Sequence, residues 1–499
     1  MKYEALLSRV HEIYDLRKAA RVLTWDREVI MPKMGDADRT NQIATLQKVC
    51  HKLYTADEMG DMIEAAAGEL NGAAYESPQA SLIRYLRRDY VKARLLPPEF
   101  VSRFAALNSQ ATTVWKQARE DDDYDRFWPW LSRIIEMTRE KTELLGYDAE
   151  PYDALLDRYE PGTSTADIRA VFDAAKEELL PLYRSVSGLG REVDDSFLHQ
   201  RYDVHLQQKF AHHIAAAVGY DFARGHLATA VHPFSTSLSL NDVRITTRYF
   251  PDQLSPSIFA TLHEAGHAIY VQNVSPRLAR TPLAKETSAG LDESQSRLLE
   301  NMVGRSLGFW RAHLPALKEV FPGQLASVTP ETFHRAVNKV QPSFIRVEAD
   351  ELTYNIHIIL RFELEQALLN GELSPRKLPA AWNDKMRTYL GVAPPNNRLG
   401  CLQDIHWTLV GFGYFPTYAL GNLYAAQFYE AALSQKPELE TQLALGQIAG
   451  LMEWLRDNIH RHGRALSPGE LVIRATGRKL DHQAFVRYAN EKFTYLYGA

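Results

Sequence analysis

The chain has 499 residues, of which 45% are hydrophobic and 24% charged, with a net charge of −5. That composition supports a sizeable core and excludes a disordered chain, while the intermixed charges leave no footprint for nucleic acid or an anionic membrane. Cys50 and Cys401 are too few for a disulfide framework or a cysteine zinc site; with no signal-like start and no run of 18 apolar residues, a soluble protein of the reducing cytoplasm is expected.

Residues 2–24, 38–54, 81–93, 98–119, 124–145 and 165–187 each repeat apolar side chains every three or four positions, which predicts a succession of helices. Short clusters such as Glu160-Pro161-Gly162 and Pro394-Pro395 punctuate them. No internal repeat and no long Ser/Gly or Pro-rich linker divides the chain, so residues 1–499 are expected to form one domain. Between residues 231 and 250 the pattern changes to strand-like alternation, as in Ser237-Leu238-Ser239-Leu240, and predicts a small sheet.

The next segment carries the chemistry. Ser255-Pro256 offers a capping hydroxyl and a proline suited to a first helical position, and Ile258, Phe259, Leu262 and Ile269 recur at helical spacing. In a helix His263 and His267 stand one turn apart on one face and can hold one metal ion; Glu264, about 100° round, reaches a water beside it. The plainer alternative makes both histidines hydrogen-bonded core residues and Glu264 a solvated acid. Gly266, at a cost of roughly 1 kcal/mol relative to alanine, predicts close approach by another backbone or by a substrate.

A zinc centre needs a third protein ligand with the fourth position left to water. Glu286, Asp292, Glu293 and Glu300 follow, and residues 291–303 read as a second helix with Leu291, Leu298 and Met302 along one stripe. Spacing alone does not choose among the four acids. Further on, residues 345–369 predict a long helix that starts with Arg346.

Several motifs together carry a resemblance. Residues 23–32 (LTWDREVIMP) with Gly35, Arg39 and Gln42, and residues 152–162 (YDALLDRYEPG), are similar to segments of the carboxypeptidase Taq family of zinc-dependent metallocarboxypeptidases. So is an ordered series: HPF at His232, DxRxT from Asp242 to Thr246, HExxH from His263 to His267, IRxxAD from Ile345 to Asp350, and GxxQDxHW from Gly400 to Trp407. The family's third-ligand motif, His-Glu-Ser-Gln or His-Glu-Gly-Gln, reads Asp292-Glu293-Ser294-Gln295 here. The resemblance implies Glu293 as the third ligand and leaves Asp292 as the departure from the pattern.

It also implies a mainly α-helical, cleft-type zinc peptidase fold with a small sheet beside the HExxH helix, and a homodimer. The expected activity is release of single residues, with broad specificity, from peptides with a free C-terminus. Zinc is the expected metal, with cobalt or manganese able to occupy the same ligands. Glu264 takes the proton of the attacking water and returns it to the leaving amine. A carboxypeptidase also needs a fixed cation for the terminal carboxylate, and the resemblance points to Arg346. It places His406 and Tyr418 among substrate-binding groups, together with His232 and Arg244, which have no separate role assigned. The competing readings are a zinc oligopeptidase, which would accept amidated peptides, and an inactive helical scaffold, against which an intact Glu264 argues.

Overall fold

The computed structural model describes residues 1–498. It is mainly helical, with one three-stranded sheet among the described residues, as expected from the resemblance. The six expected helices appear as Lys2–Val29, Asp36–Thr55, Pro78–Leu95, Pro98–Asp121, Tyr124–Leu145 and Thr165–Val186. A seventh, Asp57–Glu69, lies outside those expectations, although its buried Met59, Ile63 and Ala66 stand at helical spacing.

The chain divides into two compact units. The first comprises Met1–Arg94, Asp195–Val337 and Phe428–Lys479; the second comprises Leu95–Asp194, Asn338–Gln427 and the residues from Leu480 on.

The sheet belongs to the first unit. Its strands are β1 (Leu227–Thr229), β2 (Ser235–Ser239) and β3 (Asp242–Thr247), in the order β1-β3-β2. β3 runs parallel to β1 and antiparallel to β2, with an irregularity between Ser237 and Ser239. Val243, Ile245, Thr246 and Thr247 of β3 are buried where the strand packs on the HExxH helix, Ser255–Gln272. The Thr247 hydroxyl donates to the Ser257 carbonyl at 3.3 Å, tying sheet to helix.

Two helix boundaries correct the sequence expectation. Ser255 lies inside the HExxH helix rather than capping it: the N-cap position is Leu254, with no side-chain cap, and Pro256 occupies the first turn, where a missing N–H costs nothing. In the second unit the expected helix over 345–369 begins only at Glu351 and runs to Asn370. Asp350 stops it, because its side chain accepts from the backbone N–H groups of Leu352 and Thr353, each at 3.0 Å. Arg346 therefore sits in a separate 3₁₀ turn, Arg346–Glu348.

Candidate active site

The HExxH helix is buried on almost every side, which fixes its rotation. Crossing it is the ligand helix, Ala289–Arg297, whose start is capped by the Ser288 hydroxyl accepting from Leu291 N at 3.1 Å. Gly266 marks the crossing. A Cβ there would meet the Gln295 carbonyl oxygen at 2.4 Å and Ser296 Cα at 2.5 Å, so the glycine admits a second backbone, one of the two approaches its position predicts.

This contact brings His263, His267 and Glu293 together, with one ligand atom from each lying within 4.8 Å of the others. The Nε2 atoms of His263 and His267 lie 3.7 and 3.6 Å from Glu293 Oε2. On the far side of each ring a second carboxylate waits. His263 Nδ1 is 2.9 Å from Glu300 Oε2, and His267 Nδ1 is 2.9 Å from Asp292 Oδ1, the latter off the line of a regular hydrogen bond. Carboxylates at both Nδ1 atoms orient the two rings so that both Nε2 atoms turn toward Glu293.

Glu300 reaches His263 because the ligand helix continues as a π-helical turn, Leu298–Val303. Arg297 ties the group together, donating from Nε to Glu293 Oε1 at 2.7 Å and from Nη1 to Glu300 Oε2 at 3.2 Å. Arg305 adds a weaker contact to Glu300 Oε1 at 3.4 Å. Sequence reasoning counted Glu300 only as a ligand candidate and missed Arg297, although its position four residues after Glu293 on one helix was a usable signal.

The electrostatics of this donor set fit a divalent cation. Glu264, Asp292, Glu293 and Glu300 gather round the two histidines, while Arg297 pairs with Glu293 and Glu300 and Arg305 with Glu300, so acids outnumber the guanidiniums at the centre. Burial pushes the His267 ring down, but Asp292, Glu264 and Glu293 outweigh it and carry its pKa up to about 10. Two imidazoles and a carboxylate, each braced from behind, form the usual ligand set of a catalytic zinc site. Glu264 is 6% exposed, and burial holds its carboxyl above the usual range. No hydrogen bond or ion pair engages its carboxylate among the described residues.

The other expected site residues have different surroundings. In the second unit Arg346 is buried; its Nε and Nη2 donate to Asp404 Oδ1 at 3.2 and 3.0 Å, and its Nη1 donates to the Tyr354 hydroxyl at 2.8 Å. Arg361 holds the other oxygen of Asp404, with Nε at 2.8 Å. Burial pushes the Asp404 carboxyl up, yet Arg361 and Arg346 hold it well below the usual carboxylate range. Gln403 joins both arginines, accepting from Arg346 N and from Arg361 Nη2, each at 2.8 Å. The IRxxAD and GxxQDxHW motifs thus meet in one cluster with two guanidiniums and one carboxylate.

His406 Nε2 lies 3.1 Å from the Tyr418 hydroxyl, whose ring lies under the Arg346 guanidinium at 4.8 Å. Burial lowers the His406 pKa to about 4, so the ring is neutral at physiological pH. In the first unit Arg244 pairs with Asp242 at 2.8 and 2.9 Å and rests over the Trp25 ring, while His232 is exposed between β1 and β2.

A braced His/His/Glu centre with a buried acid beside it, on a helical scaffold, defines a metallopeptidase. The family model of the carboxypeptidase Taq (M32) metallopeptidases matches residues 5–493. The chain is 42% identical to thermostable carboxypeptidase 1 of Thermus thermophilus over 99% of each chain, and 36% identical to carboxypeptidase 1 of Bacillus subtilis over 97% of this chain and 98% of that one. Its fold is similar to the crystal structure of an M32 carboxypeptidase from Deinococcus radiodurans, with a TM-score of 0.96 and 37% identity over 100% of both chains. A Pyrococcus furiosus carboxypeptidase gives 0.95 and 37% over 99% of both. The chain belongs to the carboxypeptidase Taq family of metallopeptidases and acts as a metallocarboxypeptidase.

Proposed function

We propose that residues 1–499 act as one zinc-dependent carboxypeptidase domain in which His263, His267 and Glu293 hold the metal and Glu264 moves the proton. The observation that carries this reading is the bracing of both imidazoles by Glu300 and Asp292, which leaves two Nε2 atoms and Glu293 facing one point. A bound metal supplies Lewis-acid activation of a water and of the scissile carbonyl. Glu264 accepts the proton of the attacking water on its carboxylate and delivers it to the leaving amine. Its burial suits both halves of that duty, since a carboxyl with a raised pKa takes a proton and keeps it long enough to pass it on.

Arg346 is proposed as the cation that recognises the substrate's terminal carboxylate. Two guanidiniums share Asp404, so the cluster retains positive charge for a second anion. Tyr418 and neutral His406 are proposed to hydrogen-bond the substrate, and His232 and Arg244 stay candidates for substrate contact. The protein is further proposed to be a cytoplasmic homodimer of broad specificity; sedimentation equilibrium tests the dimer. No helix among the described residues is long and apolar enough to cross a membrane.

Metal analysis of purified protein, joined to the Glu264→Gln variant, tests the central assignment. The variant is expected to bind about one metal per chain like the native protein, while turnover falls by about 10²–10⁴-fold, the range for loss of a general base. Near-native turnover in that variant contradicts the mechanism.

A further inference from the structure

In the first unit, the N-terminal helix Lys2–Val29 and neighbouring segments line a cavity of about 230 Å³. Five cations face it: Arg17, Lys18 and Arg21 from that helix, Lys285 from the segment leading into the ligand helix, and Arg464. Two of the five share one acid, since Glu286 pairs with Lys285 and lies 4.0 Å from Arg464. Arg464 is further fixed by donating to the Tyr85 hydroxyl at 3.0 Å and the Glu286 carbonyl at 2.9 Å.

Of the other three, Lys18 and Arg17 are held by neutral groups. Lys18 Nζ donates to the Ser237 carbonyl at 2.6 Å and its hydroxyl at 2.9 Å, and the Arg17 guanidinium rests over the Tyr54 ring at 4.8 Å. Among the described residues Arg17, Lys18 and Arg21 form no ion pair. Burial first, then Arg21 and Lys285, lower the Lys18 pKa to about 7 against the pull of Glu286. Cations left together in a partly closed space attract an anion, and their field is stronger there than on an open surface.

The shape narrows the choice of anion. Buried Val10, Ile13, Met59 and Leu86 line the same cavity as the charges, so it offers apolar contact as well as cations. A bare inorganic anion satisfies the cations and wastes the apolar surface, whereas a carboxylate on one or two methylenes uses both.

We propose that this cavity binds an aliphatic carboxylate, supplied by the side chain of a glutamate or aspartate in the peptide substrate. The source of the carboxylate rests on the peptidase reading; the binding chemistry does not. Lys285 lines the cavity only four residues before the ligand helix Ala289–Arg297 begins, so the cavity and the metal centre are built on one continuous stretch of the same unit.

The test is a peptide series in which a single Glu or Gln is moved through successive positions from the C-terminus, digested by the metal-loaded native protein and by an Arg17→Ala/Arg21→Ala double variant. Both arginines are exposed, so the variant is expected to fold, and circular dichroism checks that it does. The native protein is expected to show a KM about five- to tenfold lower for Glu than for Gln at one position. The double variant is expected to erase that difference while leaving kcat/KM on the wholly neutral peptide within about twofold. No preference at any position, or a preference that survives in the double variant, overturns the proposal.

Calorimetric titration with the Glu and Gln peptides, glutarate and inorganic phosphate separates the two readings. If no peptide is cleaved, Glu-selective binding that depends on Arg17 and Arg21 still supports the site, and its absence overturns it. Arg17- and Arg21-dependent binding of glutarate or phosphate without any Glu preference assigns the cavity to a free anion and overturns the peptide source.

Discussion

Asp292 stands where the family's ligand motif has a histidine, beside the third ligand, and its carboxylate braces His267 from behind as Glu300 braces His263. A carboxylate behind a ligating imidazole typically tightens metal binding, and its loss weakens affinity by about 10–100-fold. Asp292→Ala is expected to fall in that range by chelator competition. Asp292→Asn, which keeps the length and loses the charge, is expected to fall less. Unchanged affinity in both variants means that Asp292 does no work for the metal. At Asp404 the prediction concerns pH. Its folded pKa lies well below the ordinary carboxylate value of about 4, so its contribution to stability is fully present above that value and is lost progressively as pH falls from there through the folded pKa. Urea unfolding at pH 7 and pH 3 is expected to show a larger loss for the native protein than for Asp404→Asn. At pH 7 that variant is expected to be less stable by about 3–5 kcal/mol, since it strips two buried guanidiniums of their counter-charge. Equal acid sensitivity in the two proteins contradicts the assignment.

The elements were legible to different depths. Long amphipathic helices such as Tyr124–Leu145 and Thr165–Val186 announce themselves through apolar periodicity, and the HExxH helix through its residues and its proline. Boundaries set by competing side-chain hydrogen bonds were not legible: Asp350 accepts from two backbone amides and keeps Arg346 out of the helix that periodicity extends through it. The π-helical turn at Leu298–Val303, which delivers Glu300 to His263, leaves the heptad spacing of Glu293 and Glu300 unchanged and so has no sequence signature. Nor could spacing choose Glu293 over three neighbouring acids, because that choice depends on where two helices cross. Gly266 was the exception, a residue whose cost in its own helix pointed to the crossing. Gly266→Ala should gain helix propensity of about 1 kcal/mol, yet it drives a methyl into the Gln295 carbonyl. A net loss of about 1–3 kcal/mol is expected in chemical denaturation, with weakened metal binding as the helices part. A stabilised variant contradicts the close crossing.

For the whole molecule, family similarity running from residue 5 to 493 ties both compact units to one activity. Net charge, composition and cysteine count set the class of molecule but say nothing of chemistry; that came from short motifs, read through helix geometry and through family resemblance. In the proposed mechanism Glu264 moves a proton beside a metal held by His263, His267 and Glu293, on peptides that end in a free carboxylate. The measurement that reaches this most directly is time-resolved digestion of one peptide, prepared as the free acid and as the C-terminal amide, by the metal-loaded protein with mass-spectrometric readout. A ladder losing one residue at a time from the C-terminus of the free acid, with the amide essentially untouched, is the predicted result; internal cleavage of both forms at similar rates would contradict it.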